Sequence, residues 1–143
     1  MRELSIAYGN SCFAKTWSNK TTSWDDLCKR LSTTIRTTES SEEYPNMKKA
    51  DRDAAKDKGG FVAGQLRNNR RKIEAVACRS MLTMDADHAE VGFIDRFLQN
   101  FRYASCVYTT HGHIPEAPRC RIIVPLTRDV SPDEYVALTR FLA

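Results

Sequence analysis

Short apolar runs between turn residues predict most of the strands of this chain. Four such runs occupy residues 4–8, 61–66, 104–110 and 119–126. A fifth, EAVACRSMLTMDAD at 74–87, is the longest and predicts the strongest strand. Runs of this length, rich in β-branched and aromatic residues, are typical of strands buried in a sheet.

Apolar residues at helical spacing predict helices between these strands. The first helix begins after Ser23, a predicted N-cap, and carries Asp25 and Asp26 in its first turn, where acidic side chains are favourable. A second helix, within AEVGFIDRFLQNF at 89–101, has one apolar face formed by Val91, Ile94, Phe97, Leu98 and Phe101.

Two further helices are predicted from their ends. Ser131 as N-cap and Pro132 at the first helical position predict a helix that runs to the end of the chain. Residues 44–56 predict a weaker, mostly exposed helix that ends before Gly59.

The order of these elements predicts an α/β sandwich of the α+β class. We expect a mixed sheet with helices packed mainly on one face. The 143 residues suffice for one core, so a single domain over 1–143 is expected. The last helix has no C-capping glycine, and the sequence therefore predicts a shortened domain.

Composition narrows the function classes. The formal net charge of +4 permits binding to nucleic acid without requiring it. Five cysteines without a CxxC pair indicate neither a disulfide framework nor a zinc ribbon. The N-terminal residues match neither a signal peptide nor a membrane span, so no membrane contact and a cytoplasmic location are expected.

Two aspartates lie at the end of the strongest predicted strand. Asp85 and Asp87 are two residues apart, so on a strand they point to the same side. Such a pair requires a divalent cation, an arginine or a shared proton. Alternatively, the two acids are strand-end residues that cap the next helix.

Two histidines follow the end of the next predicted strand, at 104–110, with the same spacing. His111 and His113 are two residues apart at a strand exit, and imidazole is a common metal ligand. The spacing predicts a metal site of Asp85, Asp87 and His111, with His113 and His88 as further candidate ligands. The alternative is a polar turn.

Basic residues form two candidate phosphate sites. Arg119 and Arg121 share one face of a strand, where they could bind phosphates or the aspartate pair. The turn RNNRRK could follow a phosphate backbone through Arg67, Arg70, Arg71 and Lys72. The alternative for this turn is a solvated surface.

In order, these motifs resemble the archaeo-eukaryotic primase superfamily. The first motif of that superfamily carries two acids, here MDAD, and its second reads Ser-x-His, here TTH with Thr109 in place of serine. The surrounding text is similar to the N-terminal part of phage and prophage primase-polymerases, often labelled virulence-associated E proteins. The similar stretches are RTTES, KGGFVAGQL, RSMLTMDADHA, YTTHGHIPEAPRCRIIVPL and SPDEYVALTR.

The resemblance implies roles for individual residues. Asp85 and Asp87 would hold a divalent metal for nucleotidyl transfer, and His111 would contact the metal or the phosphates of the incoming nucleotide. Arg119 and Arg121 would be auxiliary. The third acidic motif of the superfamily is not found, which predicts an incomplete primase-like fold without full polymerase activity.

Three functions follow as expectations. The first is an inhibitor encoded by a phage or mobile element, which binds a host nucleic-acid enzyme such as the CRISPR nuclease Cas9 and thus acts as an anti-CRISPR protein in an infected or lysogenic bacterium. The second is the N-terminal catalytic fragment of a primase-polymerase, and the third is a module that binds DNA. Magnesium, manganese and zinc all stay open as the metal.

Overall fold

A computed structural model describes residues 2–142. The chain forms seven strands, which are β1 (Leu4–Gly9), β2 (Ser18–Thr22), β3 (Gly60–Val62), β4 (Gly64–Leu66), β5 (Val76–Ala86), β6 (Cys106–Thr109) and β7 (Cys120–Val130). Four α-helices connect or follow them, namely α1 (Trp24–Leu31), α2 (Lys49–Lys56), α3 (Phe93–Asn100) and α4 (Pro132–Leu142). These elements confirm the α+β class.

The strands form two antiparallel sheets in place of the mixed sheet expected from the sequence. One sheet has the order β2-β1-β3 and the other has the order β4-β5-β7-β6. All strand pairs among the described residues are antiparallel. The expectation was wrong in this respect because strand direction depends on the connections, which local patterning does not specify.

The apolar run at 61–66 divides between the two sheets. β3 pairs with β1, whereas β4 pairs with β5. At Gly64 a Cβ atom would lie 1.9 Å from the carbonyl oxygen of Cys78, so only glycine permits this close approach. The single strand predicted at 61–66 is therefore two strands, β3 and β4. Because each belongs to a different sheet, they connect the two sheets.

The main core lies between the two sheets. Leu4 and Ile6 of β1 face Met81 of β5 and Ile123 of β7, and α1 covers them with Trp24 and Leu27. Residues of alternate register on the same strands, Leu82, Ile122 and Val124, face the other side. The four-stranded sheet is therefore buried on both faces.

Helices α3 and α4 cover the second face. Phe93, Phe97 and Phe101 pack there, at the four-residue spacing that keeps side chains on one helix face. The predicted face of α3 was partly wrong, because Val91 precedes the helix and Leu98 points outward, with 66% and 54% of their surfaces exposed.

The predicted helix starts are confirmed for α1 and α4. The Ser23 side chain accepts a hydrogen bond from the Asp26 amide. Ser131 and Glu134 exchange bonds between side chain and backbone, which is a capping box. The predicted helix at 44–56 is instead a single turn at Tyr44–Asn46 followed by α2.

Strand β2 was not predicted, since its residues are mostly exposed and polar.

Among residues 2–142, no helix is long and apolar enough to cross a membrane.

Candidate functional site

A cleft of about 420 Å³ opens at one end of the four-stranded sheet. Because β7 runs antiparallel to both β5 and β6, the ends of β5 and β6 meet the start of β7 at this edge. Helix α2 forms the opposite wall. The cleft size falls within the range of ordinary small-ligand sites, roughly 300–1,000 Å³.

Asp85 and Arg121 face each other across β5 and β7 at this edge. They are register partners, and the Arg121 Nε and Nη2 atoms donate to the two carboxylate oxygens at 2.6 and 3.1 Å. The bidentate bond with Asp85 raises the pKa of Arg121 above its ordinary value. An arginine therefore compensates one of the two carboxylates, as one of the sequence alternatives held.

Asp87 lies one residue beyond the end of β5 and also lines the cleft. It is exposed and forms no ion pair with any residue between 2 and 142. Its carboxylate oxygens are therefore available to a ligand.

His111 lies just beyond β6, and its ring is held on one side. Its Nε2 atom lies 2.8 Å from Oε1 of Glu39, and the Thr37 hydroxyl donates to the same oxygen at 2.6 Å. The Tyr44 ring meets the imidazole edge to face, with 4.5 Å between ring centroids. The bond from Thr37, together with the contact to His111, lowers the pKa of Glu39.

Sequence reasoning missed Glu39 altogether. The residue is 72 positions from His111 and lies in a polar segment that matches neither strand nor helix. The only signal was the stretch RTTES, noted for its similarity to primase-polymerases.

Helix α2 supplies a charged wall that sequence reasoning also missed. Lys49, Arg52, Asp53 and Lys56 line the cleft, with the spacing of a single helix face. Lys49 and Lys56 both bind Asp53, and together they lower its pKa to about 2. The signal is a polar stripe, which by itself predicts only an exposed surface.

Arg119 completes the cationic lining. Its side chain passes Gly112, where a Cβ atom would lie 3.5 Å from its Cδ and Nη1 atoms. Neither Arg119 nor Arg52 forms an ion pair within the described part of the chain. Two guanidinium groups are thus available to an anion.

The predicted site residues outside the basic turn fall into two groups. Asp85, Asp87, His111, Arg119 and Arg121 line the same cleft. His88 and His113 do not line it. His113 instead accepts a hydrogen bond from the Arg119 amide through Nδ1, at 3.1 Å.

Asp85 and Asp87 could hold a divalent metal only if a ligand supplied further oxygen atoms. Within residues 2–142, no three His, Cys, Asp or Glu side chains are grouped closely enough to hold an ion by themselves. A carboxylate has about four lone-pair sites, so the Asp85 oxygens retain acceptor capacity beside Arg121. Two carboxylates with phosphates and water are a common magnesium environment.

The basic turn lies away from the cleft. Arg67, Arg70, Arg71 and Lys72 are exposed, and Asn68 and Asn69 hold the turn in left-handed conformation, with φ of 53° and 55°. Backbone bonds tie it to residues 15–17, from Trp17 N to Asn69 O and from Arg71 N to Lys15 O.

Comparison with known proteins identifies a family. The family model described as the VapE N-terminal domain matches residues 1–143. No curated protein and no solved structure matches the chain.

Proposed function

We propose that this chain, which belongs to the family of VapE N-terminal domains, binds the triphosphate of a nucleotide in the cleft together with magnesium or manganese. One observation carries the proposal. Five Lys or Arg side chains and three Asp side chains line the cleft, and the excess of positive charge favours an anionic ligand. The two acids of the primase-like motif lie among these cations.

The division of roles follows from the ion pairs. Arg52 and Arg119 have no acidic partner among the described residues, so they are the groups assigned to phosphate oxygens. Asp87 and the remaining acceptor sites of Asp85 are assigned to the metal. A bound metal would neutralise charge on a transferring phosphoryl group, which makes the cleft a substrate site suited to nucleotidyl transfer.

Titration calorimetry with nucleoside triphosphates, with and without magnesium, tests this function. Asp87→Asn removes a carboxylate without breaking an ion pair, and we expect at least a tenfold loss of magnesium-dependent affinity, about 1.4 kcal/mol. Asp95→Asn is the matched control, because it removes an exposed acid from α3. Absence of binding in the unmodified chain, or equal loss in both variants, would contradict the proposal.

Metal analysis provides a second test. Elemental analysis of protein equilibrated with magnesium, manganese and zinc should show weak retention without nucleotide, because part of the coordination comes from the phosphates. Tight, stoichiometric zinc retention without nucleotide would contradict this assignment.

Nucleic-acid binding at the basic turn is a second candidate function, and a specific observation favours it. Phe13 is 74% exposed within a loop whose Cys12 carbonyl accepts a bond from Arg71 Nη1 at 2.8 Å. An exposed aromatic ring beside cations that form no ion pair among the described residues is the combination that binds single strands, through stacking and phosphate contacts.

Fluorescence anisotropy with a labelled single-stranded oligonucleotide tests this second candidate. Arg70→Ala and Lys72→Ala each remove a side chain that bonds to no described residue, and each should reduce the salt slope by about 1. Lys29→Ala, on the exposed surface of α1, is the control. An unchanged slope in both turn variants would rule out phosphate contacts there.

Inhibition of a host enzyme such as Cas9 stays a prediction from the sequence. Among residues 2–142, no contact in the cleft or at the basic turn selects a host protein as the ligand. The direct measurement is target cleavage by a purified CRISPR nuclease with increasing amounts of this protein. Undiminished cleavage, with no complex on a sizing column, would eliminate the anti-CRISPR hypothesis.

A further inference from the structure

We infer that Glu39 is the positioning residue of His111, holding the imidazole with hydrogen on Nε2 and leaving Nδ1, unprotonated in the neutral ring, as the nitrogen that can accept a hydrogen bond from a ligand or its metal-bound water. The inference rests on the proposed function for the identity of that ligand. The contact between the two side chains is independent of it.

The hydrogen-bond chemistry decides which nitrogen carries the hydrogen. An ionised carboxylate can only accept hydrogen bonds. Since Glu39 Oε1 lies 2.8 Å from His111 Nε2, Nε2 must be the donor. In the neutral ring the other nitrogen is then an acceptor, and no residue between 2 and 142 bonds to Nδ1 of His111.

Glu39 is itself held in place, which a positioning residue requires. Its side chain is only 11% exposed, and the Thr37 hydroxyl donates to the same oxygen that accepts from His111. A carboxylate fixed by a second donor cannot rotate freely, so it restricts the ring orientation as well.

Tyr44 restricts the ring from a second direction. It stands edge to face with the imidazole at 4.5 Å, and both rings line the main cleft. They also line a smaller cavity of about 220 Å³, which Glu39 and Thr37 border. His111 therefore separates the two spaces, with Glu39 on the side of the smaller one.

Carboxylates that bind the distal nitrogen of a ligand-binding histidine have a known effect. They select one tautomer and fix the ring, and their loss typically reduces affinity by about 10-fold to 100-fold at metal sites. We assign Glu39 this role, and Gln at the same position should retain most of it, because the amide oxygen can still accept from Nε2.

Long-range proton–nitrogen correlation spectra of the ligand-free protein test the tautomer directly. At a pH where the histidines are neutral, His111 should show the Nε2-protonated pattern in the unmodified chain and in Glu39→Gln. In Glu39→Ala the pattern should become a mixture of tautomers. His88 and His113 serve as internal references, and Glu42→Ala, an exposed acid of the same segment, is the control.

Two results would overturn the assignment. One is a predominantly Nδ1-protonated His111 in the unmodified chain. The other is an unchanged tautomer pattern in Glu39→Ala, with a thermal melt showing that this variant is folded.

Nucleotide affinity supplies the functional measurement. Glu39→Ala should weaken magnesium-dependent triphosphate binding about tenfold, and Glu39→Gln much less. Combining Glu39→Ala with His111→Ala should cost no more than His111→Ala alone, since Glu39 acts through the ring. Full additivity would contradict the positioning role. If the unmodified chain binds no nucleotide, the proposed function fails, while the spectra still decide the positioning of His111.

Discussion

Two aspartates bind arginines at opposite ends of the β5–β7 pair, and their surroundings differ. Asp129 binds Arg2 at 2.7 Å and also accepts a bond from the fully buried Ser80 at 2.5 Å. Asp85 binds Arg121 at the edge of an open cleft. An Asp–Arg ion pair is thus structural where other protein groups also bond to the carboxylate, as at Asp129. Where they do not, as at Asp85, the carboxylate remains available to a ligand.

The Asp129 end also joins the two sheets. Ser80 accepts a hydrogen bond from the backbone amide of Ser5, on β1, at 3.0 Å. Each oxygen and amide of this network therefore has a partner inside the protein, which is the condition for burying polar groups without a large penalty.

The largest expected effect is on stability at the Asp129 end. Ser80→Ala leaves the buried Ser5 amide without its acceptor and removes a donor from Asp129, so we expect a loss of about 2 kcal/mol in the free energy of unfolding. Urea denaturation measures it. A change below about 0.5 kcal/mol would show that water or a rearrangement replaces the hydroxyl.

A smaller loss of folding stability is expected at low pH. Burial favours a raised pKa for Asp129, but the bonds from Ser80 and Arg2 outweigh it, and the pKa lies below its ordinary value. The stabilisation is therefore complete above the unfolded pKa of about 3.9, and it is lost as the pH falls through the lower folded value.

Asp129→Asn isolates this contribution from those of the other acids. The stability difference between the unmodified chain and Asp129→Asn, measured by urea midpoints, should be constant near neutral pH and shrink below about pH 4. A difference that is independent of pH would show that the charge of Asp129 contributes nothing.

The smallest stability effect is expected at the cleft. Asp85→Asn breaks an ion pair whose side chains are 48% and 39% exposed, so the unfolding free energy should change by less than about 1 kcal/mol. A loss as large as that of Ser80→Ala would erase the contrast between the two ends.

The same variant sharpens the contrast through binding. Asp85→Asn releases Arg121 from its carboxylate, so metal-free binding of inorganic tripolyphosphate should become a few-fold tighter, while magnesium-dependent nucleotide binding weakens. Calorimetry measures both. Parallel changes in the two affinities would show that Arg121 does not face the anion.

Several features of the site could be predicted from local patterns. The strand ending in Asp85 and Asp87, the strand ending before His111 and the one carrying Arg119 and Arg121 were all anticipated, and these five residues line one cleft. They meet because β7 lies antiparallel between β5 and β6, so that the ends of both strands adjoin its start. The sequence did not predict that arrangement.

Local patterns do not place the other parts of the site. Glu39 meets His111 only because a polar segment distant in sequence packs beside residue 111, and the cations of α2 face the cleft only because of where that helix lies. Contacts between distant segments depend on how the elements pack, and periodicity reports only which face of each element is apolar.

The sequence by itself determined most of the elements, the buried faces of the main strands and the α+β class, since side-chain periodicity and capping residues act over a few residues. Only the tertiary structure decided that the strands form two antiparallel sheets, that Arg121 binds Asp85, and that Glu39 holds His111. The physical reason is distance along the chain, because these contacts join segments whose local conformations would allow other pairings.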